Sequence, residues 1–502
     1  MKFLTEKVQD EPDFFPRALA AVRATEPHRY LPWDHLRNHR PPAGLTTQEW
    51  WLISKVMRQG MQRQLPLTAT DGRRFTYALP DEVLRGIEVV DKHLSGRIGV
   101  PEPVTHDAPS RARYVVTSLI EEAITSSQLE GASTNHRVAK EMLRSGRRPR
   151  TRGERMILNN YHAMQRVGEH RNETLTPALI CELHRIVTEG TMEDPASEGR
   201  FQLAGENRVV VEDNSDGSVL HEPPPAEELP ERLQRLCDFA NGTASGDAYV
   251  PPVIRSIVIH FMLAYDHPFA DGNGRTARVL FYWSMLDQDY WLTEFLPISR
   301  LLRQAPAKYG RSFLYSEQDE GDLTYFIIYQ LGIIQRAITD LQTYLTRKVA
   351  ESKRVQESLT SLSRRFNYRQ VALLGHAINH PLAQYTVQSH SRSHNVVPQT
   401  ARTDLQDLER QGLLTKSTLK RGYAWAPAKG LHELLDPTSD SVGRHRRRGR
   451  LTPTPSPVDP AEGQHGQRVR ARVGQAGDQE HREDHHPPPG GRLAGRDPAV
   501  GR

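Results

Sequence analysis

Residues His267 to Arg278 read HPFADGNGRTAR. They lie between an apolar helical pattern ending near Tyr265 and another beginning near Arg275, so a short loop of small residues meets a helix N-terminus. Gly272 and Gly274 let the backbone turn tightly and approach a ligand, and the free N–H groups with the helix dipole make an anion site. Arg275 and Arg278, three residues apart, occupy neighbouring parts of one helical face and offer planar forked donors to phosphate oxygens. Asp271 sets a carboxylate beside that anion site. A hard cation such as Mg²⁺, shared between a carboxylate and substrate phosphates, resolves the charge conflict. His267, at the edge of the loop, is the only nearby group whose ordinary pKa suits a general base near neutrality.

Other readings of this loop fail on spacing. No Gly-Lys-Ser/Thr follows the glycines, which excludes a P-loop. Eleven positions after Asp266 and Asp271 stand Ala277 and Tyr282 instead of the Glu that closes an EF-hand. His260 and His267 are seven apart on one helical face, but no third ligand for zinc stands at suitable spacing. The two cysteines, Cys181 and Cys237, have neither CxxC spacing nor the density of a disulfide scaffold.

With these residues in place, the segment resembles the Fic domain signature HxFx(D/E)GNGRxxR. All eight specified positions match: His267, Phe269, Asp271, Gly272, Asn273, Gly274, Arg275 and Arg278. The resemblance implies a helical core with one β-hairpin, here from about Ser110 to Lys348. It also implies transfer of AMP from ATP to a hydroxyl side chain of a target protein, with self-modification as one outcome. By the same carry-over His267 deprotonates the attacking hydroxyl and Asp271 holds Mg²⁺ on the α- and β-phosphates. Gly272, Asn273 and Gly274 line the anion hole, Arg275 contacts the phosphates, Arg278 contacts the γ-phosphate, and Phe269 anchors the loop in the core. Relatives that remove AMP or use another donor such as UTP keep a second enzymatic reading open.

Upstream, Ser126 to Gly131 reads SSQLEG and resembles the family's inhibitory motif (S/T)xxxE(G/N). Ser126 and Glu130 are four apart and share one side of a helical turn. The resemblance implies that Glu130 pairs with Arg278 and blocks placement of the γ-phosphate. The helix that carries them is marked by Val115, Val116, Leu119, Ile120, Ala123 and Ile124 at three- and four-residue spacing and spans 111–131 within a core of 109–348.

Working outward, residues 1–108 read as a helical accessory region. Val209, Val210 and Val211, the turn Asn-Ser-Asp-Gly-Ser, and Val219 and Leu220 read as a β-hairpin over 208–222. In the family such a hairpin is the flap on which an extended segment of the protein target docks by strand addition. Gly199-Arg200-Phe201-Gln202 resembles a GxFR element of the family with Gln202 in place of Arg, and no role is carried onto it.

A charged linker, 349–365, leads to a small domain at 366–435 with the outline of a winged helix-turn-helix. Its third helix turns Ala401, Leu405 and Leu408 inward and ends at Gly412. Arg402, Thr403, Gln406 and Arg410 on that helix, with Lys416, Lys420 and Arg421 on the wing, favour DNA and a regulator reading. Asp404, Asp407 and Glu409 in the same helix oppose phosphate, which keeps a protein-interaction or homodimerisation module as the alternative. From 436 to 502 the chain has no aromatic residue and no Lys, and 19 of 67 residues are Gly or Pro, the composition of a disordered tail.

The 502 residues carry a formal charge of +5. The tail holds 12 Arg against 9 acidic residues, including the run Arg444 to Arg450, so the remaining 435 residues carry 54 basic and 52 acidic groups. Net charge therefore says little about nucleic acid outside the tail. The N-terminus mixes charges into the place of a signal peptide's apolar segment, and the apolar run from Ile257 to Tyr265 is about half a membrane span. The expectation is a mainly α, cytoplasmic protein with no membrane partner.

Overall fold

A computed structural model describes residues 7, 9–24, 29–95, 108–169, 171–206, 208–212, 219–244, 248–363, 365–380, 383–418 and 422–434. The turn at 213–218, Lys420, Arg421 and the tail from 436, with its arginine run, lie outside the described residues. Among them no helix is long and apolar enough to cross a membrane.

The N-terminal part contains α1 (Phe14–Arg23), α2 (Thr47–Gln59), the antiparallel pair β1 (Arg63–Thr68) and β2 (Arg74–Tyr77), and α3 (Asp81–Leu94). Thr46 and Glu49 form a reciprocal capping box that starts α2. The β1–β2 hairpin is an addition to the expected helical accessory region. Its signal was present: Leu65, Leu67, Phe75 and Tyr77 alternate around Asp71-Gly72, and Gly72 has φ +80°. All four side chains are buried in the main core, so 63–94 packs as part of the main body.

Next come α4 (Ala108–Leu129), α5 (His136–Ser145), α6 (Arg152–Glu169) and α7 (Pro177–Thr188), the short strands β3 (Val211–Glu212) and β4 (Val219–His221), and α8 (Leu229–Ala240). On α4 Leu119, Ile120, Ala123 and Ile124 are buried as the spacing predicts, whereas Val116 is exposed. The centre of the fold is α9 (Pro252–Asp266) followed by α10 (Asn273–Asp287). Both are buried along nearly their whole length, which is why neither shows a clear amphipathic stripe. Pro252 starts α9 at a position whose N–H has no intrahelical partner.

The body is completed by α11 (Ile298–Gln304), α12 (Pro306–Gln318) and α13 (Thr324–Ser363). The segment expected as a linker after Val349 is helical: α13 runs 40 residues because no Gly or Pro interrupts 333–363. Beyond it stand α14 (Tyr368–Asn379), α15 (Val387–His394) and α16 (Pro398–Arg410) and the hairpin β5 (Leu414–Thr418) with β6 (Tyr423–Pro427). Ala401, Leu405 and Leu408 are buried, Gly412 takes φ +76°, and Trp425 closes this second small core.

Candidate active site

The α9–α10 junction brings the signature residues together. Asp266 ends α9, His267 caps it in the left-handed region at φ +44°, and its N–H donates to the Leu263 carbonyl at 3.1 Å. Phe269 is fully buried, stacked at 3.6 Å on His184 and tilted against Phe201. Asn273 staples the loop from inside: its Oδ1 accepts from Phe269 N at 2.9 Å and its Nδ2 donates to Phe269 O at 2.7 Å. The side chain of Asn273 is thereby committed to loop geometry, and only its backbone N–H remains for an anion.

Gly272 has φ +84°, and a Cβ built there would lie 2.7 Å from Thr188 Cγ2 and 3.3 Å from His184 Nε2. Both strain and clash therefore oppose any side chain. Gly272→Ala is expected to cost about 1–3 kcal/mol and to lower the thermal midpoint by several degrees in a calorimetric scan. An unchanged midpoint would contradict the close packing beneath the loop.

The imidazole of His267 is half-buried, and burial pushes its pKa down to about 4. Its Nδ1 lies 3.2 Å from the Ala264 carbonyl and so carries the proton, which leaves Nε2 with a lone pair. Two steps along, the Asp271 carboxylate is 45% exposed and faces Arg152 at 3.2 Å and Arg275 at 3.6 Å. Arg275 itself is wholly buried, and burial pulls its pKa below the usual arginine value. One of its nitrogens donates to Val187 O at 3.1 Å, while Nε and the other terminal nitrogen have no hydrogen-bond partner. A dry guanidinium with two unmet donors is costly unless an anion completes it.

The second signature arginine is met from α4. Arg278 Nε donates to Ser126 Oγ at 2.8 Å, and a terminal nitrogen donates to Ser126 O at 3.0 Å and to Glu130 Oε1 at 2.9 Å. The Glu130 carboxylate also abuts the loop, since a Cβ on Gly274 would fall 2.3 Å from Glu130 Oε1. Two turns earlier on α4, buried Glu122 accepts from Tyr282 OH and Ser299 N, each at 2.9 Å, and burial raises its pKa.

Several participants escape a reading of the signature alone. His184 sits on the apolar face of α7 with Ile180, Leu183 and Val187, where it reads as an ordinary core histidine. Its Nε2 donates to the Asp271 carbonyl at 2.8 Å, its Nδ1 accepts from Gly199 N at 3.0 Å, and burial lowers its pKa to about 4. Asp266 is buried against Arg232 at 2.8 Å. His260 is a core residue bonded to Tyr309 OH at 2.8 Å, and no cluster of three metal-ligating side chains exists among the described residues.

A model of the Fic/DOC family matches residues 174–285, which include the loop but not Glu130. Among curated proteins, the protein adenylyltransferase Fic of Drosophila willistoni is 30% identical over 167 residues, 33% of this chain and 29% of that one. The protein of the same name from Nematostella vectensis is 32% identical over 110 residues, 22% of each. The chain thus spans under a third of the length of these relatives. Among solved structures, a Fic family protein from Desulfovibrio desulfuricans G20 aligns with a TM-score of 0.49 and 18% identity, covering 73% of this chain and 99% of that one. Fic-1 (aa134–508) from C. elegans aligns with a TM-score of 0.41 and 17% identity, covering 69% and 87%. With the family match falling on the loop built above, residues 174–285 carry the Fic/DOC domain.

Proposed function

We propose that this protein transfers AMP from ATP to a hydroxyl side chain of a target protein and that Glu130 restrains the reaction. The observation that carries the proposal is the buried Arg275 with two unmet donors, beside a helix N-terminus and a lone-pair nitrogen on His267. In the proposed step the hydroxyl oxygen bonds to the α-phosphorus, the bond to pyrophosphate breaks, and the hydroxyl proton passes to His267 Nε2. Pyrophosphate leaves with the electron pair. The relatives' name, protein adenylyltransferase, agrees with this reading.

Asp271 suits Mg²⁺, which binds through one or two carboxylates and completes its shell with water and phosphate oxygens. Its carboxylate is exposed, accepts from the Gly272 N–H, and is otherwise faced by arginines that phosphate can also engage. When bound, the ion supplies charge neutralisation on the phosphates. The deciding experiment is incubation of the Glu130→Gly chain with ATP and Mg²⁺, read by intact mass. A gain of one AMP on the chain or an added protein, absent with EDTA, is expected; no gain under any donor nucleotide would overturn the proposal.

A second reading concerns 366–435, for which we propose a winged helix-turn-helix that docks on duplex DNA. The acidic residues of the third helix are engaged within the unit. Asp404 accepts from Arg369 and Asn367, Asp407 from Gln370, and Glu409 from Trp425 Nε1. Arg402, Thr403, Gln406 and Arg410 are exposed. Full-length His267→Ala chain should shift a random-sequence duplex at about 50 mM salt, with a salt slope that Arg402→Ala reduces by about 1. No shift at that salt would remove the reading.

A further inference from the structure

The described part of the β3–β4 flap is held by very little pairing of its own. Among the described residues, Val211 pairs with His221 and Glu212 with Val219, with an irregularity between them. Its position must come from what its base grips, and its base grips the end of α9. A helix leaves its last carbonyls without intrahelical partners, and basic side chains there satisfy them and complement the dipole. Here the partners come from both sides of the flap, His221 on β4 and Arg208 on the stem before β3. His221 Nε2 donates to the Tyr265 carbonyl at 2.7 Å, and one terminal nitrogen of Arg208 donates to the Asp266 carbonyl at 2.6 Å and the His267 carbonyl at 3.1 Å.

Arg208 does more than cap. Its Nε donates to Pro224 O at 2.8 Å, across the flap's other stem, and its second terminal nitrogen meets Gln202 Oε1. Gln202 in turn donates its backbone N–H to Pro268 O at 2.8 Å, one residue after His267. One half-buried guanidinium thus ties together both stems of the flap, the loop at Gln202 and the backbone of His267. On the opposite strand, His221 Nδ1 faces Glu317 at 2.7 Å. Burial opposes protonation of that ring, but Glu317 outweighs it and the pKa is raised.

We infer that Arg208 is a positioning residue that sets the flap against the His267 imidazole, with His221 as the second pivot. The inference rests on the transferase reading, in which a target segment pairs with the flap and presents its hydroxyl to His267. A displacement of about 1 Å between these parts costs on the order of 10²-fold in rate. Arg208 touches no reacting atom. It acts through the carbonyl of His267 and through its charge, which with the charge of His221 disfavours protonation of the imidazole while Glu130 favours it.

The test uses the full-length Glu130→Gly chain, with Arg208→Gln and Arg208→Lys added separately. Self-transfer from ATP is followed by intact mass, and the His267 ring is titrated by NMR in both. Arg208→Gln is expected to lower the rate at saturating ATP by about 10–10²-fold, to leave the half-saturating ATP concentration within about twofold, and to move the His267 titration upward. Arg208→Lys should restore the titration and part of the rate. A rate within twofold of the parent overturns the inference. So does a loss of rate with the His267 titration unmoved and no rescue by Lys, since that pattern marks a merely structural arginine. If the Glu130→Gly parent transfers nothing, the transferase reading fails, and the His267 titration still decides whether Arg208 governs that ring.

Discussion

His267→Ala, placed in the Glu130→Gly chain, is expected to lower AMP transfer by about 10²–10⁴-fold, the usual yield of a positioned general base. Three features of the ring support a loss at the upper end. The Nδ1 proton is fixed on the Ala264 carbonyl, so the basic nitrogen faces a single way. The left-handed backbone at φ +44° and the C-terminal cap of α9 fix the direction of the side chain. Burial holds the ring neutral throughout the physiological range. A neutral base with a pKa near 4 drives proton transfer weakly, but bound triphosphate brings negative charge next to the ring and lifts that pKa toward neutrality. The rate at low ATP, which reports the free enzyme, should therefore hold to lower pH than the rate at saturating ATP. His267→Asn tolerates positive φ and removes the base, so it separates chemistry from folding. Transfer by either variant within tenfold of the parent, at an unchanged thermal midpoint, would sink the assignment.

The sequence showed the loop more fully than its supports, and the reason is physical. Chemistry at the loop requires particular residue types at fixed spacing, so twelve consecutive positions carried His267, Asp271, Arg275 and Arg278. The supports are defined by where side chains end, and several residue types serve. Arg208 reads as one more charge before a valine run, yet its guanidinium reaches four carbonyl or amide oxygens on three segments. His184 occupies a position where Leu would give the same periodicity, and only stacking on Phe269 reveals its use. Asn273 belongs to the signature, but its side chain staples the loop instead of facing a ligand.

Partners within the small C-terminal unit stay hidden in the sequence for a related reason. A helix position does not disclose the partner of Asp404; folded, it is buried against Arg369, Asn367 and His390. Helix boundaries followed the patterns where Gly or Pro punctuates them, as at Pro252 and Gly412. They failed where charge was taken for a break, as at 349–363. The hairpin at 63–77 is masked in the sequence because Leu65 and Leu67 alternate around Pro66, a residue that argues against a central strand but is tolerated in a two-stranded pair.

Glu130→Gly is expected to raise AMP transfer by about 10²-fold or more while lowering thermal stability. Glu130 is bonded to Arg278 at 2.9 Å and pressed against Gly274, and on the proposed reading it competes there with the terminal phosphate. A hydrogen bond between charged groups in a buried setting contributes about 1.5–3 kcal/mol. Releasing Arg278 for phosphate recovers that much for the nucleotide, and removing a like charge adds to it, which together reach the roughly 2.8 kcal/mol that a hundredfold change requires. The same contact ties α4 to the core, so its loss should lower the midpoint of unfolding in the absence of nucleotide. Ser126 still holds Arg278 through its hydroxyl and carbonyl, and Glu122 still fixes α4 through Tyr282 and Ser299, so the helix stays docked. Glu130→Gln, which keeps the shape and removes the charge, should fall between parent and Gly variant, and Arg278→Ala should cancel the gain. Activity and stability must therefore move in opposite directions, and ATP should stabilise the Gly variant more than the wild type. Equal labelling of wild type and Glu130→Gly would reduce the Arg278–Glu130 pair to a structural contact.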